Sequence, residues 1–138
     1  MAEIYTEMLI DATPEKIWTV LMDFESYPLW NPFIKEIKGE KNLGNTLEVH
    51  FDGGMVAKPK ITSLTANKRF SWLGRLFLPR LFDAEHIFEL EIISETQVRF
   101  IQREVFRGLL VPFLSTLLKS TRLKFKDMNL ALKECVSN

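Results

Sequence analysis

Gly108-Leu109-Leu110-Val111-Pro112-Phe113-Leu114-Ser115-Thr116-Leu117-Leu118 opens the stretch that decides the fold, and after Pro112 no Gly or Pro interrupts the chain as far as Cys135. At about 100° per residue, Leu110, Leu114, Leu117, Thr121, Phe125, Met128, Leu132 and Cys135 fall within roughly a quarter of a helix circumference. Lys119, Lys126 and Lys133 fall on the opposite side. Pro112 fits a first helical turn, where its missing N–H costs nothing, and Gly108 frees the turn out of the preceding segment. The spacing predicts one amphipathic helix from Gly108 to about Cys135, on the order of 40 Å long. Such a helix needs a broad apolar partner. Leu123 and Leu130 lie off the stripe, so each either meets a loop or is exposed.

The residues just before the helix supply that partner. In Gln97–Arg107, Val98, Phe100, Gln102, Glu104 and Phe106 share one strand phase, while Arg99, Arg103 and Arg107 take the other. In Asp83–Ile92, Ala84, His86, Phe88, Leu90 and Ile92 share a face opposite Glu85, Glu89 and Glu91. With Ser94-Glu95-Thr96 as the loop, Ile92 meets Val98, Leu90 meets Phe100, Phe88 meets Gln102 and His86 meets Glu104. Every pair keeps its face, as a correct register must. The outer Arg and Glu rows read as a solvated, mutually balanced face of little energetic weight.

Further upstream, Ile4–Ile10 alternates as a strand with Ile4, Thr6, Met8 and Ile10 in phase. Thr13-Pro14-Glu15 then starts a helix, with Thr as N-cap and Pro at the first helical position, and Ile17, Trp18, Val20, Leu21 and Phe24 form its buried side. A second short helix or turn covers Ser26 to Pro32. Strands follow at Phe33–Lys38, Thr46–Phe51, Val56–Leu64 and Arg69–Arg75. Asp52-Gly53-Gly54 marks a hairpin, and Pro59 marks an edge or a bulge. Leu76–Phe82 is too apolar for an ordinary loop and reads either as a strand extension or as an entrance flap over a pocket. The predicted architecture is α+β: a curved antiparallel sheet gripping the C-terminal helix, with two short helices after the first strand, in a single domain spanning residues 1–138.

Composition narrows the function classes. Lys+Arg and Asp+Glu are 18 each, so no net charge draws the chain to nucleic acid or anionic membrane. Cys135 is the only cysteine, which excludes an intrachain disulfide or a cysteine metal cluster. His50 sits in a solvent-facing phase far from His86, so no metal site is expected, and no cofactor motif is present. No stretch reaches transmembrane length and no secretory leader opens the chain, so the expected location is cytoplasmic.

Ile10-Asp11-Ala12-Thr13-Pro14-Glu15-Lys16-Ile17-Trp18, Trp30-Asn31-Pro32-Phe33, Trp72, His86-Ile87-Phe88-Glu89-Leu90 and Glu104-Val105-Phe106-Arg107-Gly108-Leu109-Leu110 occur in that order. In these motifs the chain resembles the polyketide cyclase/dehydrase branch of the START/Bet v 1-like (SRPBCC) superfamily. The resemblance implies a helix-grip fold: a seven-stranded antiparallel sheet, two short helices at one end, and a long C-terminal helix across it. It also implies an elongated cavity between helix and sheet for lipids, sterols, polyketides, hormones or quinones, in a family of binders, transfer proteins and some enzymes. Fold alone does not choose among these.

His86, Gln102 and Glu104 are the informative anomalies, because each sits in an apolar phase where an unpaired polar group costs a few kcal/mol. One reading is a satisfied His86–Glu104 hydrogen bond across the hairpin. A second is that the three orient a ligand head group in an apolar pocket. A third makes His86 and Glu104 a catalytic acid/base pair, although no third, orienting group is evident. Trp30, Phe51, Trp72, Phe88 and Phe100 supply aromatic surface, with Leu117, Thr121 and Phe125 facing them from the helix. Thr121 and Ser120 either line the cavity or bond back to the helix. The leading expectation is binding, with possible transport or sequestration, of a small hydrophobic molecule such as a lipid, quinone or polyketide-like aromatic. The alternatives are a cyclase or dehydratase using Glu104 and His86, and an interaction module docking through Leu123, Leu130 and Leu76–Phe82. A monomer or weak homodimer is expected.

Overall fold

The computed structural model describes residues 2–76 and 82–137 of the chain. Strand β1 (Ala2–Ile10) leads into α1 (Pro14–Met22), whose N-cap Thr13 accepts a hydrogen bond from Lys16 N through its side chain. A 3-10 turn at Phe24–Ser26 and the short α2 (Tyr27–Trp30) follow. Tyr27 is fully buried and its hydroxyl donates to Leu21 O at 2.7 Å, which fixes the angle between the helices. Asn31 Oδ1 accepts from both Phe33 N and Ile34 N, so the chain leaves α2 directly into strand β2 (Ile34–Lys38).

Strands β3 (Glu48–Phe51), β4 (Val56–Ala57), β5 (Lys60–Thr65), β6 (Arg69–Leu76), β7 (Phe82–Ser94) and β8 (Gln97–Arg107) complete the sheets before helix α3 (Ser115–Ser137). The expected seven-stranded sheet is divided: β1-β8-β7-β6-β5 form one antiparallel sheet and β2-β3-β4 a second. Pro59 is the cause, since it has no N–H for a ladder. It cuts the predicted Val56–Leu64 strand in two, so that β4 stays with β3 while β5 joins β6. The two sheets are stitched at this point, where Leu47 N donates to Pro59 O and Ile61 N to Asn45 O.

The β7–β8 register agrees with the expectation, with Ile92 opposite Val98, Phe88 opposite Gln102 and His86 opposite Glu104. The loop is tighter than Ser94–Thr96, because Ser94 itself pairs with Gln97. β1 adds to the other edge of β8, placing Ile4 opposite Glu104 and Thr6 opposite Gln102. On the outer face Arg99 meets Glu91 at 2.7 Å and Arg103 meets Glu89 at 2.8 Å. The Leu76–Phe82 stretch falls largely outside the described residues; its two ends pair with each other.

The C-terminal helix differs from expectation at its start. Gly108 makes the turn at φ 125, as its position suggested. Val111–Phe113 then forms a 3-10 turn, with Phe113 N donating to Leu110 O and Leu114 N to Val111 O. Leu114 departs from helical geometry, and α3 begins only at Ser115. A proline in a first turn suits a 3-10 turn as well as an α-helix, so Pro112 could not tell them apart. The helix is therefore about 35 Å long. Phe125, Met128, Asn129, Leu132 and Val136 are its buried residues, and Leu123 and Leu130 are exposed. No helix among the described residues is long and apolar enough to cross a membrane.

Candidate functional site

Between the inner face of β6–β8, the β2–β4 sheet and the first turns of α3 lies a cavity of about 220 Å³. The large sheet contributes Trp72, Gly74, Ala84, Glu104 and Phe106, with Phe82 at the end of β7. The small sheet and its turn contribute Phe33, Phe51 and the segment from Met55 to Pro59, and α3 contributes Leu117 and Thr121. Lys58 and Arg75 reach the rim, where both are exposed, and Arg75 Nε faces Asp83 at 3.7 Å. Glu104 is the only acidic residue in the wall among the described residues.

Of the candidate residues, Phe51, Trp72, Glu104, Leu117 and Thr121 meet at this cavity. Thr121 also bonds back to Leu117 O at 2.8 Å, so both readings of that hydroxyl hold at once. His86, Phe88, Phe100, Gln102 and Phe125 lie behind the wall in the packed interior. Trp30 lies in a separate surface groove with Thr19, Ala131 and Cys135. Ala84, Phe106 and Phe33 were not singled out from sequence, although the first two share the inward phase with His86 and Glu104.

The His86 ring is clamped between Phe88 and Phe125, with centroids 4.3 and 4.7 Å away and both rings nearly parallel to it. Trp72 meets it edge-on. Such a site penalises the imidazolium, and burial pulls the His86 pKa from 6.5 down to about 4, outweighing the upward pull of its bond to Gln102. Burial acts on Glu104 in the same sense, against its charged form, and raises that pKa to about 8.

One backbone carbonyl, Gln102 O, sets the order of protons from Thr6 to His86 in the network behind the cavity. Thr6 Oγ1 donates to Gln102 O at 2.7 Å, so its single proton is used. Asn129 must then donate to Thr6 through Nδ2, at 2.9 Å, which turns its Oδ1 toward Gln102. Gln102 Nε2 donates to that Oδ1 at 2.8 Å and also lies 3.4 Å from Phe125 O, another obligate acceptor. Gln102 Oε1 is therefore left to face His86 Nε2, at 2.9 Å, and His86 must carry its proton there. The remaining nitrogen, Nδ1, is bare and faces Glu104 Oε2 at 3.4 Å.

Sequence reasoning placed His86, Gln102 and Glu104 on one face but paired His86 with Glu104 alone. The shorter bond runs diagonally to Gln102. Asn129 and Thr6 were missed as its partners, because a lone Asn at helical spacing beside Met128 and Leu132 carries no signal of what it meets.

Among curated proteins no sequence matches the chain. In fold it is similar to a START superfamily protein from Mycobacterium smegmatis, at 19% identity and a TM-score of 0.76 over 98% of this chain and 97% of that one. It is similar to the ZhuI aromatase/cyclase from Streptomyces sp. R1128, at 12% identity and a TM-score of 0.73 over 99% and 93%. It is also similar to the Aha1 dimer from Colwellia psychrerythraea, at 25% identity and a TM-score of 0.67 over 96% and 97%. The family model described as polyketide cyclase / dehydrase and lipid transport matches residues 1–128, and with the helix-grip arrangement around the cavity the chain belongs to that family.

Proposed function

We propose that the protein binds a small, predominantly apolar molecule in the cavity between β6–β8 and the start of α3. The observation that supports this most directly is an apolar chamber with one carboxyl, Glu104, set into its aromatic wall. Its volume of about 220 Å³ lies below the roughly 300–1,000 Å³ of pockets that take drug-sized ligands, which favours a compact molecule of one or two rings over a long acyl chain. The family description joins cyclisation and dehydration to lipid transport, and both concern hydrophobic molecules. An acid/base mechanism needs two groups in reach of one substrate. Here Glu104 reaches the cavity while His86 stays behind it, 1% exposed and enclosed by aromatic rings, which favours binding over catalysis.

The test compares the wild type with Ala84→Leu, which places a larger side chain into the wall. Organic extraction and mass spectrometry of both purified proteins are combined with titration of 2-methylnaphthalene, followed by the tryptophan fluorescence, to which Trp72 at the cavity contributes. An apolar compound released from the wild type alone, and probe binding weakened about tenfold or more in the variant, are expected. A wild type that releases nothing and binds no probe sinks the reading.

A further inference from the structure

We infer that Glu104 stands in the cavity as an un-ionised acid that donates its hydrogen bond to the ligand, so that the cavity selects neutral molecules bearing a carbonyl or similar acceptor oxygen over carboxylates of the same shape. The inference rests on the binding reading above and names the ligand class. Its geometric basis is the proton order of the network. Because Gln102, Asn129 and Thr6 force the His86 proton onto Nε2, the nitrogen facing Glu104 is an acceptor. An ionised Glu104 would set a negative charge against a lone pair in an aromatic enclosure. An un-ionised Glu104 takes the charge out of that contact.

The contact is also loose. At 3.4 Å, Glu104 Oε2 stands beyond ordinary hydrogen-bond length from His86 Nδ1, so its proton is not firmly committed there. The side chain keeps 16% of its surface open, and that surface faces the cavity. The other groups around it leave the acid neutral. β1 brings Ile4 opposite it, and α3 brings Leu117 and Thr121 to the same wall. Lys124 of α3 lies over the Phe33 ring. Lys58 and Arg75 hold their charges at the exposed rim, and among the described residues neither forms an ion pair with Glu104. Burial, the dominant cause of the raised Glu104 pKa, agrees with this picture.

Three naphthalenes of one shape test it: 2-acetylnaphthalene, 2-naphthoate and 2-isopropenylnaphthalene, titrated by tryptophan fluorescence into the wild type, Glu104→Gln and Glu104→Leu. At about pH 6 the ketone should bind the wild type roughly tenfold tighter than the hydrocarbon, the worth of one net hydrogen bond, with naphthoate weakest. That advantage should disappear by about pH 9, once Glu104 has ionised. Glu104→Gln, which keeps an N–H donor, should retain the ketone preference at both pH values, and Glu104→Leu should lose it at both. Equal binding of all three probes, or naphthoate binding best, overturns the donor role while leaving the apolar cavity a binding site. Binding of none of them removes the binding reading and this inference with it.

Discussion

Asn129, in the middle of α3, donates to Thr6 in the middle of β1 at 2.9 Å, across a buried helix–sheet interface. The same side chain accepts from Gln102 on β8 at 2.8 Å, so one residue ties the helix to two neighbouring strands. Asn129→Ala removes at once the donor to the buried Thr6 hydroxyl and the acceptor of the buried Gln102 amide. It should destabilise the protein by about 2–3 kcal/mol in urea unfolding. Thr6→Val acts on the same network, so the double variant should lose measurably less than the two single losses together. Additive losses would show that the network is not a unit.

Stability should depend on pH through two opposed titrations. Glu104 holds its proton in the folded state up to about 8, against 4.5 ordinarily, so its contribution is lost as pH rises from 4.5 to about 8. His86 is held down to about 4 from 6.5, so folding forfeits a proton there and stability rises with pH across that span. Where the spans overlap the slopes cancel. The expected profile rises only at its acid edge, stays level to about pH 6.5, and falls by about 2 kcal/mol towards pH 8. Glu104→Gln should abolish the alkaline fall and expose the His86 rise, as read from urea midpoints at each pH.

The proton order is open to spectroscopy. At neutral pH the nitrogen-15 signals of His86 should identify the neutral ring protonated on Nε2, and remain so well below pH 6. Infrared spectra should contain the band of one protonated carboxyl that Glu104→Gln removes. A His86 ring protonated on Nδ1, or the same band in both proteins, would contradict the network as described.

The outer face of the sheet should matter far less. Arg99 contacts Glu91 at 2.7 Å and Glu7 at 3.5 Å, but about half of each carboxylate side chain is open to water. Arg99→Ala should cost no more than about 1 kcal/mol, and less in high salt. That is well below the loss at Asn129, although Arg99 makes the shorter contact.

These contrasts explain what the sequence could disclose. Strand phase and hairpin register were readable because period-two alternation and a short loop leave one arrangement in which His86 meets Glu104 and Phe88 meets Gln102. The same alternation placed polar residues on the inner face. It did not reveal that His86 bonds Gln102 on the diagonal, because side-chain direction is decided by a third element, α3, which meets the Gln102 amide through Phe125 O and Asn129 Oδ1. The helix start was misplaced for a local reason: Pro112 and an apolar run suit a 3-10 turn and an α-helix equally. The cavity was foreseen as a chamber along the helix, yet only Leu117 and Thr121 of α3 line it, because Phe125 fills the space beyond.

The closed proton order behind the cavity also constrains how this chain can change. Each member from Thr6 to His86 has its donor and acceptor roles assigned in turn, starting from the Gln102 main-chain carbonyl, which no substitution removes. A single replacement at Thr6, His86, Gln102 or Asn129 therefore leaves a partner facing the wrong way, and the mismatch passes along the row to the carboxyl at the cavity. Related proteins should either keep the four together or have exchanged them as a group for apolar side chains, with intermediates scarce. In lineages that made the exchange, the residue at position 104 would be released from its acid role, and the molecule accepted by the cavity would change with it.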